Sequence, residues 1–162
     1  MQSLLNHNLA CGTTYSKGHN IINVITIWNL TDNTCIQRLT EHSGFILCLL
    51  QLSNGRLASG SYDNTIKIWD LTSGKCIKNL IGHSGAIHCL IQLPSGELIS
   101  GSDDHSIKIW NTETGQCLKT IKGHVRRVNC LALSSNNELA SCKHNGTIKL
   151  WNNTEYMPTL FT

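Results

Sequence analysis

Tryptophan recurs at Trp28, Trp69, Trp110 and Trp151, each 41 residues from the next (69 − 28, 110 − 69, 151 − 110), and so strict a period restricts the chain to a repeat architecture. The same interval separates His42, His83 and His124, then Cys35, Cys76 and Cys117, then Cys48, Cys89 and Cys130. Whole phrases return with them. Leu57-Ala58-Ser59-Gly60-Ser61 reappears as Leu98-Ile99-Ser100-Gly101-Ser102, and Thr65-Ile66-Lys67-Ile68-Trp69 as Ser106-Ile107-Lys108-Ile109-Trp110.

Inside one unit the apolar residues follow a period of two. In Thr65-Ile66-Lys67-Ile68-Trp69-Asp70 they alternate with polar ones, between the turn formers Asp63-Asn64 and Thr72-Ser73-Gly74. The second unit is expected to hold strands over Ile46–Leu52, Arg56–Ser61, Thr65–Asp70 and Cys76–Leu80, with hairpin turns at Ser53-Asn54-Gly55 and Tyr62-Asp63-Asn64. No segment of ten or more residues keeps a helical apolar stripe. Four antiparallel strands in a unit of about 40 residues fit a propeller blade better than a helical or leucine-rich solenoid.

Composition removes several function classes. Lys and Arg total 13 against 10 Asp and Glu, a net charge of +3, too mild and dispersed for a nucleic-acid footprint. No stretch approaches the roughly 18 apolar residues of a membrane span, and the N-terminus lacks the basic and apolar regions of a secretion signal. A soluble protein of the cytosol or nucleus is expected. The Asn-x-Ser/Thr triplets at Asn29, Asn145 and Asn152 read as chance in an Asn-rich sequence.

Gly82-His83 and Gly123-His124, each followed about 27 residues later by a Trp-Asn pair, resemble the WD-repeat family over nearly the whole chain. The resemblance implies an all-β fold of propeller blades with four antiparallel strands each, about 3.5 to 4 blades in an incomplete ring. Blade one, incomplete, would span residues 1–40, blade two 41–81, blade three 82–122 and blade four 123–162, its outer strand uncertain. It also implies a buried hydrogen-bonded chain of His, Ser, Asp and Trp in each blade. Those residues are His42, Ser59, Asp63 and Trp69 in blade two and His83, Ser100, Asp104 and Trp110 in blade three. Blade four offers His124, Ser141, Asn145 and Trp151, where Asn in place of Asp removes a charge-assisted bond and is expected to weaken the blade.

Ser, His and Asp are also the parts of a hydrolase triad. A catalytic set occurs once beside an oxyanion hole, whereas this one is copied on the repeat period and ends on Trp, so no catalysis is expected. Six of the eight cysteines fall on the repeat period and read as blade-core residues. There is no Cys-x-x-Cys pair, no Cys and His set at zinc-ligand spacing and no phosphate-binding Gly-rich loop. No metal, cofactor or small-molecule substrate is therefore expected, and disulfides are not expected in a reducing compartment.

Propellers of this family usually bind proteins on the face where the inner strand begins. Three positions per blade reach that rim by resemblance: Phe45, Leu47 and Tyr62 in blade two; Ala86, His88 and Asp103 in blade three; Arg127, Asn129 and His144 in blade four. They vary while the framework repeats, as recognition on a fixed scaffold requires. Phe45, Leu47 and Tyr62 would form an apolar anchor beside a polar sector with Asp103, Arg127 and two histidines. Arg126 next to Arg127 reads as a solvated pair rather than a phosphate site.

Leu9-Ala10-Cys11-Gly12 corresponds to Leu57-Ala58-Ser59-Gly60, which places Met1 opposite Leu49, inside an inner strand. Blade one then lacks its His, carries Cys11 for Ser and Ile22 for Asp, and holds about seven extra residues around Thr13–Asn20. The tail beyond Trp151 is expected to be either a poor outer strand, formed by Tyr156-Met157-Pro158-Thr159-Leu160-Phe161, or disordered. Three explanations stand open: a fragment of a longer protein, which the mid-strand start favours; two chains joined in one ring of about eight blades; or a partner that supplies the remainder. The expected function is a scaffold for other proteins. A substrate receptor in ubiquitin ligation and a structural oligomer associating through open blade edges are the alternatives.

Overall fold

The computed structural model describes residues 1–4, 8–18, 20–143 and 146–151. It contains four antiparallel sheets and, among the described residues, no helix long and apolar enough to cross a membrane. The first sheet is β1 (Gln2–Ser3), β2 (Asn8–Lys17), β3 (Asn20–Asn29) and β4 (Thr34–Leu39). The second is β5 (Ile46–Gln51), β6 (Leu57–Ser61), β7 (Ile66–Asp70) and β8 (Lys75–Leu80). The third is β9 (Ile87–Gln92), β10 (Leu98–Ser102), β11 (Ser106–Trp110) and β12 (Cys117–Lys122). The fourth has β13 (Val128–Leu133), β14 (Leu139–Lys143) and β15 (Ile148–Trp151); the tail left open as an outer strand or a disordered end, residues 152–162, lies outside the described residues. Each sheet is a meander of neighbours in chain order, an incomplete set of β-propeller blades.

One register runs through all four blades, with Leu9, Leu57, Leu98 and Leu139 opposite Trp28, Trp69, Trp110 and Trp151. Alternation then sends the two sides of every strand to different neighbours. The core accordingly lies between blades rather than within them. Ala58, Ile66, Ile68 and Leu80 of blade two pack with Ile87, Leu90, Leu98 and Trp110 of blade three, and Ile99, Ile107 and Ile109 of blade three pack with Val128, Leu131 and Leu139 of blade four. Trp69 and Leu57 similarly meet Leu4, Ala10, Ile25 and Ile27 of blade one. No blade completes its core alone, which is why cohesion depends on stacking.

The first hairpin turn of each unit needs a backbone that few residues adopt. Gly55 (φ 83°) and Gly96 (φ 105°) supply it in blades two and three, and Asn137 (φ 60°) supplies it in blade four, Asn being the side chain that best tolerates the left-handed region. A bulge beside Trp28, Trp69 and Trp110 pairs them with Cys35, Cys76 and Cys117 on the outer strands, which accounts for one periodic cysteine series. In the other series the Cys48 thiol donates to the Ile87 carbonyl (3.6 Å) and the Cys89 thiol to the Val128 carbonyl (3.8 Å), each in the next blade. Cys117 and Cys130 depart from the core reading: both are exposed, Cys117 on an outer strand and Cys130 on a face that no described residue of a further blade covers.

The register of β1 agrees with the alignment made on sequence, since Ser3 pairs with Leu9 as Gln51 pairs with Leu57. The extra residues of blade one do not form a loop. They lengthen β2 and β3 to 10 residues each, paired from Asn8↔Asn29 to Lys17↔Asn20. Ile22 therefore pairs with Tyr15 inside the hairpin, and the turn that carries an Asp in blades two and three does not exist at that place.

Candidate functional site

Two elements position the framework residues of a blade: the loop entering the inner strand, which carries His, and the second hairpin, which carries Ser, Asp and Trp. In blade two, Trp69 Nε1 donates to Ser59 Oγ (2.8 Å), Ser59 Oγ meets His42 Nε2 (2.7 Å), and His42 Nδ1 meets Asp63 Oδ2 (2.7 Å). Blade three repeats this with Trp110 to Ser100 (2.8 Å), Ser100 to His83 (2.8 Å) and His83 to Asp104 (2.7 Å). Each carboxylate is held further by neighbours that the sequence reading did not single out. Asp63 accepts from Ser43 N (3.0 Å), Thr65 N (3.0 Å) and Thr65 Oγ1 (2.6 Å), and Asp104 from Ser84 N (3.0 Å), Ser106 N (2.9 Å) and Ser106 Oγ (2.6 Å). Thr65 and Ser106 sit on the repeat period and both carry a hydroxyl, a signal that was available.

The protons of the chain run one way. A carboxylate can only accept, so His carries its proton on Nδ1, its Nε2 accepts from Ser, and Ser accepts from Trp, whose indole can only donate. That order requires neutral histidine. Burial, opposed by the neighbouring aspartate, pushes His42 and His83 below the ordinary histidine value. Burial works to raise Asp63 and Asp104, but the hydrogen bonds from Thr65 or Ser106 and from the histidine outweigh it, and Asp104 falls to about 2. Gly82, at φ 157°, closes the arrangement: a Cβ there would lie 3.2 Å from the Trp110 ring.

In blade four, His124 Nε2 meets Ser141 Oγ (2.6 Å) and Trp151 Nε1 donates to the same oxygen (2.7 Å). His124 Nδ1 is buried with no partner among the described residues; Asn145, at the repeat position of Asp63 and Asp104, lies outside them. In blade one Trp28 Nε1 donates instead to Thr26 Oγ1 (3.1 Å), a residue of the third strand at the place of Lys67. Cys11, standing where Ser is expected, takes no part through its thiol among the described residues; its carbonyl accepts from Thr26 Oγ1 (3.3 Å). In blades two, three and four the Ser Oγ is buried and bonded on both sides, to Trp and to His. Among the described residues no group of three His, Cys, Asp or Glu is placed to hold a metal.

The rim positions come together blade by blade. Tyr62 N donates to the Phe45 carbonyl (2.8 Å), so both side chains leave one short ladder; their rings meet edge to face with centroids 6.3 Å apart. Phe45 and Tyr62 are 51% and 58% exposed, and Leu47, two residues along the inner strand from Phe45, is exposed as well. In blade three Asp103 N donates to the Ala86 carbonyl (2.9 Å) and His88 Nε2 pairs with Asp103 Oδ1 (2.9 Å). Ala86 does not belong to an accessible rim. It is 3% exposed because the loop at Gly85 lies against the Asp103–Asp104 backbone, and a methyl group does not reach past that turn as the Phe45 ring does. In blade four Arg127 and Asn129 are half-buried, and Arg126 and Arg127 line a cleft with Asp103 and His105 of blade three. His144 lies outside the described residues.

Antiparallel blades stacked on one repeated hydrogen-bond framework define a β-propeller repeat protein. The family WD domain, G-beta repeat (WD40) matches residues 33–70, 74–111 and 115–152, more than half of the chain, and the chain belongs to it. No curated protein matches the chain closely enough to count as a relative. WD40 domains typically bind other proteins and are generally scaffolds without enzymatic activity.

Proposed function

We propose that this chain is a protein-interaction scaffold that grips a peptide or domain of a partner through its rim, with Phe45, Leu47 and Tyr62 as the apolar anchor and His88, Asp103, Arg127 and Asn129 as the polar sector. One observation carries the reading: two aromatic rings stand together, more than half exposed, on a framework whose equivalent positions hold unrelated residues in the next blades. Exposed aromatic clusters on a rigid support are where binding energy concentrates. The framework supplies that rigidity, because its polar groups are bonded within a site closed to water.

Combined Phe45→Ala and Tyr62→Ala tests the proposal. Loss of a captured partner with unchanged circular dichroism supports it; full retention of the partner excludes this anchor. A second reading rests on the flanks. Ile148 and Leu150 are 65% and 75% exposed, whereas the equivalent Ile66, Ile68, Ile107 and Ile109 are completely buried against a following blade. Two copies joined flank to flank would cover them, and light scattering would then give twice the chain mass, independent of the rim substitutions.

A further inference from the structure

We propose that Cys130 and Cys142 form a reversible dithiol–disulfide site on blade four, closed by a peroxide and reopened by a small dithiol. The two residues are direct partners in the antiparallel pair β13–β14. Opposed residues in such a pair have Cα atoms about 4.5–5.5 Å apart, inside the roughly 4.4–6.8 Å that disulfides span.

The other blades act as internal controls. Cys48 stands opposite Gly60 and Cys89 opposite Gly101, so a second thiol is missing there. Those glycines are required, because a Cβ at Gly60 would come within 2.6 Å of both the Cys48 sulfur and the Ile87 side chain, and one at Gly101 would meet Cys89 and Val128 in the same way. Cys142 occupies the same repeat position in blade four, where no described residue of a further blade competes for the space. Cys35, Cys76 and Cys117 face tryptophans across their strands, and Cys11 faces Thr26. Of the eight cysteines, only this pair is in cross-strand register.

Accessibility follows the same contrast. Burial pushes the Cys48 thiol up to about 12 and raises Cys89 as well, which leaves both inert. Cys130 is exposed and Cys142 half-buried, with burial and then the adjacent Cys130 raising the Cys142 thiol. The oxidant therefore meets Cys130 first. Hydrogen peroxide converts its thiolate to the sulfenic acid as the O–O bond breaks and hydroxide leaves. The Cys142 sulfur then attacks Cys130 Sγ, the S–O bond breaks, and the sulfenic hydroxyl departs with the thiol proton as water. Two thiols are oxidised and one peroxide is reduced to two waters. Opposed Cβ atoms in a sheet lie slightly farther apart than a relaxed disulfide prefers, so the bond is strained and easily returned to thiols by exchange.

The test uses the whole chain, treated with hydrogen peroxide, alkylated with iodoacetamide after denaturation and digested with trypsin. Cleavage after Arg127 and Lys143 releases both cysteines in one peptide, residues 128–143. The expected peptide carries no alkyl group and is lighter by two hydrogens, and its halves stay joined after cleavage at Glu138; dithiothreitol before alkylation restores two alkyl groups. Cys142→Gly, the residue that blades two and three carry, should abolish the internal bond and leave a Cys130 sulfenic acid that dimedone traps. The oxidised wild-type chain should also melt several degrees above the reduced one, a gain absent in Cys142→Gly. Two alkylated cysteines in peroxide-treated peptide 128–143, a bond from Cys130 to a different cysteine, or disulfide-linked dimers in place of the internal bond would overturn the proposal.

Discussion

Blades two and three differ from blade four at one corner of an otherwise common sheet. His83 has both ring nitrogens bonded, while His124 has one among the described residues. Ser102 donates to the Gly85 carbonyl (2.9 Å) and ties the entry loop to the turn; blade four carries Lys143 and Arg126 at those places, and Asn145 at the place of Asp104. Yet β14 and β15 keep the register of β10 and β11 residue for residue. Strand pairing thus follows the apolar alternation and survives erosion of the polar framework. What the framework adds is a tie between the entry loop and the middle strands, which fixes the rim that the loop carries and raises the stability of the strands it joins. An unpaired buried nitrogen costs about 1–3 kcal/mol, enough to loosen a loop without unravelling a meander.

The contrast is sharpest under truncation of the tryptophans. Trp110→Ala should destabilise by about 3–5 kcal/mol, since it empties a fully buried site and leaves Ser100 without its donor, while Trp151→Ala, from a half-buried site, should cost less than half of that. Urea midpoints at unchanged slope measure both; equal losses would erase the distinction. Asp104→Ala comes next, at about 2–3 kcal/mol, because it strands the Ser84 amide, the Ser106 hydroxyl and His83 Nδ1 together. An unchanged melting temperature would remove the aspartate from the framework.

Acid should act in two stages, the first on blades two, three and four and the second on blades two and three. His42, His83 and His124 are held below the free histidine value, the last by burial and then by Lys149 and Lys143. The unfolded chain therefore binds protons first, and stability is lost as pH falls below about 6.5 toward the folded values. Asp63 and Asp104 are also depressed, so a second loss follows as pH falls from 3.8 toward about 2. A stability maximum below pH 6 in chemical denaturation would contradict the neutral histidines. The smallest effect is a gain: Asn145→Asp should raise blade-four stability by about 1 kcal/mol through a charge-assisted bond to His124, read as a higher melting temperature.

Much of this was legible because the chain contains its own comparison set. The repeat of Trp69 in Trp110 and Trp151 placed the strands to within a residue: Thr65–Asp70 as read against Ile66–Asp70 as observed, with the inner strand ending at Gln51 rather than Leu52. Three things were hidden. The hairpin of β2 and β3 breaks the period, and the length of an insertion does not show whether it pairs or loops. Thr26 reaches Trp28 from the third strand, where blades two and three carry lysine, so no repeat position announced it. Ala86 is buried because its methyl group is too short to pass the Asp103–Asp104 turn, whereas the Phe45 ring passes the equivalent turn, so the repeat position alone did not tell which rim residues are exposed.

Amide hydrogen exchange, followed strand by strand on the intact chain, tests most directly whether the copied hydrogen-bond chain is what fixes the blades. Protection should be highest in β6, β7, β10 and β11 and lower in β14 and β15, with Asp104→Ala bringing blade three down to the level of blade four. Equal protection in β10 and β14 of the unaltered chain, or no change in blade three after Asp104→Ala, would mean that meander pairing alone holds the scaffold and that the Trp–Ser–His–Asp chain does not.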